Sequence, residues 1–327
     1  MDYFSQNPSA ESAEPTPETL SFTGTPIERL AQYIQHETDA LGSLDLDKHS
    51  LGPWSISKLK MLRKCPLQFY LKYVLKVKVP DDVAGREDTT SADVGSAAHL
   101  ILEHVMSGKT VQEGYKLARK EFGPDKLSDD IWKERVETLE LNITAFKERM
   151  DSLAIRNPIK RVFTELRIGV TKDWESTGFF SKDVWFRGVI DLILQLEDGC
   201  VLIIDHKTGG GLGSLRPYED QLNSYKILFH YGITPIKGAQ SYIHFIGAGE
   251  IKPSYFSSVE EIEGKLRTNL DFDVEGAIDA VKDIGYWKHV ASSSCKWCDY
   301  AAVCKSSDKL LKPVEMSTKK FFEIKPV

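Results

Sequence analysis

Two aspartates and a lysine stand out in the middle of the 327-residue sequence. Val201-Leu202-Ile203-Ile204-Asp205-His206-Lys207 runs from apolar residues straight into charge. Because side chains alternate along a strand, Asp205 and Lys207 share one face at its end. One strand earlier, Gly188-Val189-Ile190-Asp191-Leu192-Ile193-Leu194 carries a second carboxylate inside an apolar run, where an unpaired charge is costly. Two such carboxylates suit a hard divalent cation, Mg2+ or Mn2+, which prefers oxygen ligands and keeps part of its water.

Whether the aspartates meet depends on the turn Glu197-Asp198-Gly199. A three-residue loop with Gly199 left-handed pairs Leu196 with Cys200, and hence Asp191 with Asp205. A two-residue Asp198-Gly199 turn would instead oppose Asp191 with His206. Only the first register lets both carboxylates share one cation, so the chemistry predicts the longer loop.

A second constellation lies near the C-terminus. Cys295-Lys296-Trp297-Cys298 followed by Cys304 is a C-x2-C-x5-C triple, too tight for scattered core cysteines and of the kind that holds metal. A fourth ligand is required, and Cys65, in Lys64-Cys65-Pro66-Leu67-Gln68-Phe69-Tyr70, is the candidate. Cys200, in a strand, reads as ordinary core.

The elements that must position these residues follow from periodicity and punctuation. Strands are predicted at Arg161 to Ile168, Val184 to Leu196, Cys200 to Lys207 and Gly238 to Phe245, with a helix around Glu219 to Tyr231 before the last. Ahead of them the chain reads as helical: an amphipathic stretch from Pro26 stopped by Gly42, a Ser-capped helix over Ser57 to Cys65 kinked by Pro66, a helix over Val94 to Met106 opened by small residues, and a mostly helical run from Thr110 to Ile155. Gly85 to Asp93 reads as a polar loop. Residues 1–25 are rich in Ser, Pro, Glu and Thr and are expected to be a disordered tail. Strand, hairpin, helix and strand make an α/β core with helices packed outside it.

Composition sets outer bounds. With 41% hydrophobic and 28% charged residues the chain can bury a substantial core, as one large domain or two small ones. A net charge of −6 argues against nonspecific coating of nucleic acid by the whole surface, while leaving room for a local basic groove. No stretch approaches the ~20 apolar residues of a membrane span, and the start lacks the order of a signal peptide. A cytoplasmic address without disulfides is the default expectation.

Gly188-x-x-Asp191, Asp205-x-Lys207 and Gln221-x-x-x-Tyr225 resemble, in order and spacing, the successive motifs of the RecB-like branch of the PD-(D/E)XK nuclease superfamily. The resemblance implies a restriction-endonuclease-like core with a central mixed sheet. It also implies ligation of Mg2+ or Mn2+ by His99, Asp191, Asp205 and the carbonyl of His206. Lys207 would orient or activate the attacking water, and Gln221 and Tyr225 would steady substrate and site. Such a cation lowers the pKa of bound water and screens phosphate charge, while a lysine stabilises the developing oxyanion. Glu165, in a strand just before the hairpin, falls where the resemblance often implies an acidic residue, but a solvated strand carboxylate fits equally well, and it is left outside the ligand set.

A remote cysteine beside Pro, Phe and Tyr, with a C-terminal triple, resembles the iron–sulfur members of that branch, the AddB nuclease domain and the CRISPR-associated iron–sulfur exonucleases. The resemblance spans roughly residues 54 to 305 and implies a 4Fe-4S cluster on Cys65, Cys295, Cys298 and Cys304, although four thiolates would also accept zinc. On this reading residues 26–160 form a helical N-terminal region with the first cluster cysteine, 161–290 the nuclease core, and 291–327 the iron–sulfur segment and tail.

The partner expected is DNA. Lys58, Lys60, Arg63, Lys64, Lys72, Lys76 and Lys78, interleaved with Trp54, Phe69, Tyr70 and Tyr73, could face phosphates and stack on bases, or be solvated surface and core. The resemblance implies an exonuclease on single-stranded DNA ends with 5′ to 3′ polarity, serving repair, recombination or processing. The alternative is a noncatalytic DNA-binding subunit of a recombination or CRISPR-adaptation assembly, in which protein partners would matter most.

Overall fold

The computed structural model describes residues 51–77, 79, 90–209, 214–282, 290–301 and 304. The predicted tail over 1–25, the predicted helix from residue 26, most of the 85–93 loop and Lys78 lie outside the described residues.

Six strands form one sheet: β1 (Ile159–Val170), β2 (Ser176–Thr177), β3 (Phe186–Leu196), β4 (Cys200–Lys207), β5 (Gly238–Phe245) and β6 (Glu250–Ser258). Their order is β2-β1-β3-β4-β5-β6. β4 and β5 run parallel and every other neighbouring pair antiparallel, so the sheet is mixed. β4 is central, and Val201, Ile203, Ile204 and Asp205 are all buried, as expected of a strand covered on both faces. β6 escapes a reading by alternation because its residues are mostly half-exposed and it carries Pro253 beside a register shift, the pattern of an edge strand.

The helices are α1 (Ile56–Lys64), α2 (Thr90–Met106), α3 (Val111–Glu121), α4 (Glu140–Arg156), α5 (Arg216–Gly232) and α6 (Arg267–Lys282). In α2 the buried residues Val94, Ala97, Ala98, Ile101, Leu102 and Val105 form one stripe of helical period. This stripe shares a core with Ile143, Phe146, Leu192, Leu194 and Ile204, which brings α2 and α4 to one side of the sheet. α3 starts at a full capping box between Thr110 and Glu113.

The chain divides into two compact units. One comprises Leu51–Lys60 with Asp88–Asp279 and contains the whole sheet. The other comprises Met1–Ser50, Met61–Glu87 and Ala280–Val327. Within the second, the Tyr300 hydroxyl donates to the Val77 carbonyl at 3.1 Å. Among the described residues no helix is long and apolar enough to cross a membrane.

The β3–β4 turn takes the longer form. Gly199 has φ +90°, its N–H donates to Leu196 O at 3.2 Å, and Asp198 Oδ1 accepts the Cys200 N–H at 2.8 Å. Leu194 therefore faces Leu202 and Leu192 faces Ile204, and the same register sets Asp191 against Asp205. The ladder stops at Leu192–Ile204, leaving the two aspartates where the strands part.

Candidate metal centre

Asp205 lies at the end of β4, 1% exposed, with Lys207 Nζ 2.7 Å from its Oδ2. Gln221 and Tyr225 are one turn apart on α5 and so face the same way. Gln221 Nε2 donates to Asp205 Oδ1 at 2.9 Å and to the Tyr225 hydroxyl at 2.7 Å. Asp205 Oδ2 is buried and meets the Lys207 ammonium as an ion pair.

Asp191 fills the gap where β3 and β4 separate. Its Oδ2 accepts the backbone N–H of His206 at 2.7 Å and lies 3.6 Å from His99 Nδ1. His99 reaches the sheet from α2, off its buried stripe, with Nε2 3.1 Å from the His206 carbonyl oxygen. Glu165 Oε1 is 3.7 Å from His99 Nδ1. Among the described residues, His99, Glu165 and Asp191 are the one set of three potential ligands whose donor atoms all lie within 4.8 Å of one another.

Glu165, left outside the ligand set in the sequence reading, stands among the donors. The pairs Thr164–Leu192 and Leu166–Ile190 bracket it, so it stands opposite Asp191, and a row of three carboxylates crosses β1, β3 and β4. Its φ of +47° is uncommon for a glutamate, and such backbone strain persists only where the surroundings enforce it. No local signal marks the position, because the β1–β3 register is set across residues 171–185, a connection too long to count from turn chemistry.

The charges do not balance. Burial first, and Asp205 second, push the Asp191 carboxyl up to about 7. Burial likewise raises Asp205 despite the opposing pull of Lys207. For His99 burial favours the neutral ring, but Glu165, Asp191 and Asp205 outweigh it and raise its pKa. Tyr225 is raised by burial and by the two aspartates, which keeps it a neutral hydrogen-bonding group. Crowded carboxylates that hold protons this strongly, and a nearby imidazole, fit a divalent cation of the Mg2+ or Mn2+ type.

Beside the site runs a groove of about 1030 Å3, lined on the α2 side by Ser96 and His99 and on the sheet side by Glu165, Arg167 and Thr208. Of the basic residues read as DNA contacts, Lys58 is buried, with Nζ donating to the Leu51 and Pro53 carbonyls, and Lys60 Nζ donates to Pro217 O at 2.8 Å. Trp54, Phe69 and Tyr70 are buried as well, so these three aromatics are core and not a stacking surface.

All five cysteines are half-buried, and none forms a disulfide. Cys65, Cys298 and Cys304 are near enough for charge on one to raise another, and burial first, then these neighbours, push the Cys298 thiol up to about 11. Cys295 Sγ accepts the Ser292 N–H at 3.3 Å. No three of the described cysteines bring their sulfurs within 4.8 Å of one another.

Comparison with known proteins reaches the superfamily level. The profile described as PDDEXK_1, the PD-(D/E)XK nuclease superfamily, matches residues 53–305. No curated protein matches. Similar solved structures include a "Putative exonuclease" from Eubacterium rectale, with 12% identity, 85% of this chain and 95% of that chain covered and a TM-score of 0.41. Another is SSO0001, with 14% identity, 67% and 85% covered and a TM-score of 0.29. At these scores the two likenesses say nothing about function.

These findings correct part of the sequence reading. The matching family is the superfamily as a whole, with no RecB-like or AddB designation, and the one tight ligand group is His99, Glu165 and Asp191. The expected iron–sulfur branch, iron–sulfur tail and 4Fe-4S cofactor on Cys65, Cys295, Cys298 and Cys304 are therefore withdrawn. The C-x2-C-x5-C spacing brings cysteines near one another along the chain, but it does not determine where the sulfurs point.

Proposed function

The chain belongs to the PD-(D/E)XK nuclease superfamily, and from that we propose that it is a divalent-cation-dependent deoxyribonuclease that hydrolyses phosphodiester bonds of single-stranded DNA, working from strand ends. The observation that carries this reading is the meeting of Asp205 and Lys207 on β4 with the His99, Glu165 and Asp191 donors. His99, Glu165, Asp191, Asp205 and the His206 carbonyl would hold Mg2+ or Mn2+, which when bound supplies a Lewis acid and a more acidic water.

The protein's own groups do the rest. Gln221, backed by the Tyr225 hydroxyl, anchors Asp205 through Oδ1, while Oδ2, which pairs with Lys207, is the oxygen that would turn toward a cation. Lys207 keeps a positive charge where negative charge grows as water attacks phosphorus and the P–O bond to the leaving oxygen breaks. The groove beside α2 is open to an extended strand, and Arg167 and Thr208 offer donors to its phosphates. The 5′ to 3′ direction and the preference for single-stranded ends were both first implied by the iron–sulfur relatives; the direction is not carried forward, and the preference for an extended strand rests on the open groove alone.

The test uses single-stranded DNA labelled at either end, with Mn2+ or Mg2+, comparing wild type with Asp205→Ala. Digestion by wild type alone supports the nuclease reading, the labels give polarity, and a spared circular strand supports attack from ends. If neither protein digests DNA while both bind it, the noncatalytic DNA-binding reading replaces this one.

A further inference from the structure

His206 holds the site through its backbone on two sides. Its N–H donates to Asp191 Oδ2 at 2.7 Å and its carbonyl oxygen lies 3.1 Å from His99 Nε2. A shift of this one residue's backbone would move both groups. Its side chain points to the opposite face of β4 from Asp205 and Lys207, away from the reaction.

There it meets a partner. β4 and β5 pair in parallel with His206 beside His244, and the two Nδ1 atoms are 2.9 Å apart in the interior. Phe146, from α4, stacks on His244 with centroids 4.2 Å apart and planes 12° apart, and meets the His206 ring edge-on at 5.3 Å. At 2.9 Å an Nδ1-to-Nδ1 hydrogen bond has one proton between the two rings, so one ring donates and the other accepts, and the pair fixes both ring orientations.

We propose that His244, clamped by Phe146, is a positioning residue that fixes the His206 peptide and through it the Asp191 and His99 ends of the cation site. This gives α4, a helix with no sequence motif, a share in the site. The proposal rests on the cation reading above, and outer groups of this kind typically change metal affinity by roughly 10–100-fold.

The experiment compares His244→Leu, which fills space without a hydrogen bond, and His244→Asn, which restores a side-chain donor and acceptor near Nδ1, with wild type. Two readouts are taken: amide hydrogen exchange at His206 in cation-free protein, and Mn2+ affinity from the electron paramagnetic resonance signal of free Mn2+. The expected result is faster His206 exchange and roughly 10–100-fold weaker Mn2+ binding in His244→Leu, with both restored toward wild type in His244→Asn. Phe146→Leu, which removes the stack and leaves the imidazole pair, should give a smaller change of the same sign and serves where His244→Leu does not fold. Unchanged exchange and affinity in the leucine variants, or equal losses in Leu and Asn, would overturn the proposal. If wild type itself binds no Mn2+, the cation reading fails, and His206 exchange alone still decides whether His244 holds the peptide.

Discussion

The backbone N–H of His206 donates to the Asp191 carboxylate at 2.7 Å, one step past Leu192–Ile204, where the β3–β4 ladder ends. A side chain thus takes over the bond that a strand carbonyl would make, which is how an aspartate in an apolar strand comes to be both structural and available to a cation.

Asp191→Asn keeps an acceptor for that N–H and loses the charge. It is expected to fold with a melting temperature no lower than wild type and to lose Mn2+ binding by at least about ten-fold. Asp191→Leu strands the buried N–H, at a cost of roughly 1–3 kcal/mol, and should melt several degrees lower. Thermal melting with Mn2+ titration checks both, and an asparagine variant that binds Mn2+ like wild type would exclude Asp191 as a ligand.

Asp191 also sets a pH dependence. Its folded pKa of about 7 lies above the unfolded value of ~3.9. The cation-free folded protein therefore binds more protons than the unfolded chain between those values, and its stability falls as pH rises through that window. Asp205 and His99, both raised, push in the same direction. Cation-free protein should melt higher at pH 5.5 than at pH 8, with less difference in Asp191→Asn. Mn2+ needs the ionised carboxylate, so its affinity should rise as pH passes through about 7. A cation-free melting temperature that rises with pH across this window would contradict the assignment.

Glu165 separates charge from backbone. Glu165→Gln is expected to weaken Mn2+ binding at least about ten-fold with little change in melting temperature. Glu165→Gly relieves the left-handed conformation at φ +47° and should remain at least as stable as the glutamine variant while binding Mn2+ just as weakly. Equal Mn2+ affinity in all three proteins would return Glu165 to the role of a solvated carboxylate.

Gly188 lets α5 approach β3. A Cβ there would lie 2.8 Å from Leu228 Cδ1 and 3.6 Å from Tyr225 Cε1, and Leu228 is fully buried. Gly188→Ala should destabilise the fold by roughly 1–3 kcal/mol and lower activity by displacing the Tyr225–Gln221 support of Asp205. A crystal structure of the variant with α5 unmoved would refute the second half.

Lys207→Met removes the charge and keeps the stem. Nuclease turnover is expected to fall by roughly 10²–10³-fold, while Mn2+ affinity stays level or rises because the lysine no longer competes for Asp205 Oδ2. Loss of Mn2+ binding in this variant would mean that Lys207 shapes the site and not the chemistry.

Much of the centre was legible because it is local. Alternation puts Asp205 and Lys207 on one face, a four-residue spacing puts Gln221 and Tyr225 on one side of α5, and the Gly199 turn sets Asp191 against Asp205. His99 was reachable by resemblance, and the structure brings its ring to Asp191. Glu165 was suggested by resemblance but not placed, because its register depends on a long connection between β1 and β3. Lys58 misled, since a lysine in a basic run carries no sign that its ammonium is bound to carbonyls inside the protein.

By itself, then, the sequence determined what short-range geometry can dictate: the strands flanking the β3–β4 turn, the pairing of Asp191 with Asp205, and the motif order of the nuclease superfamily. Tertiary structure alone decided which distant groups converge. It brought Glu165 within reach of the His99 and Asp191 donors, joined His206 to His244 under Phe146, and left the described cysteine sulfurs without a tight ligand group. The physical reason is one of range: strand period and turn type are settled within a few residues, whereas side chains far apart in sequence meet only where the whole core closes.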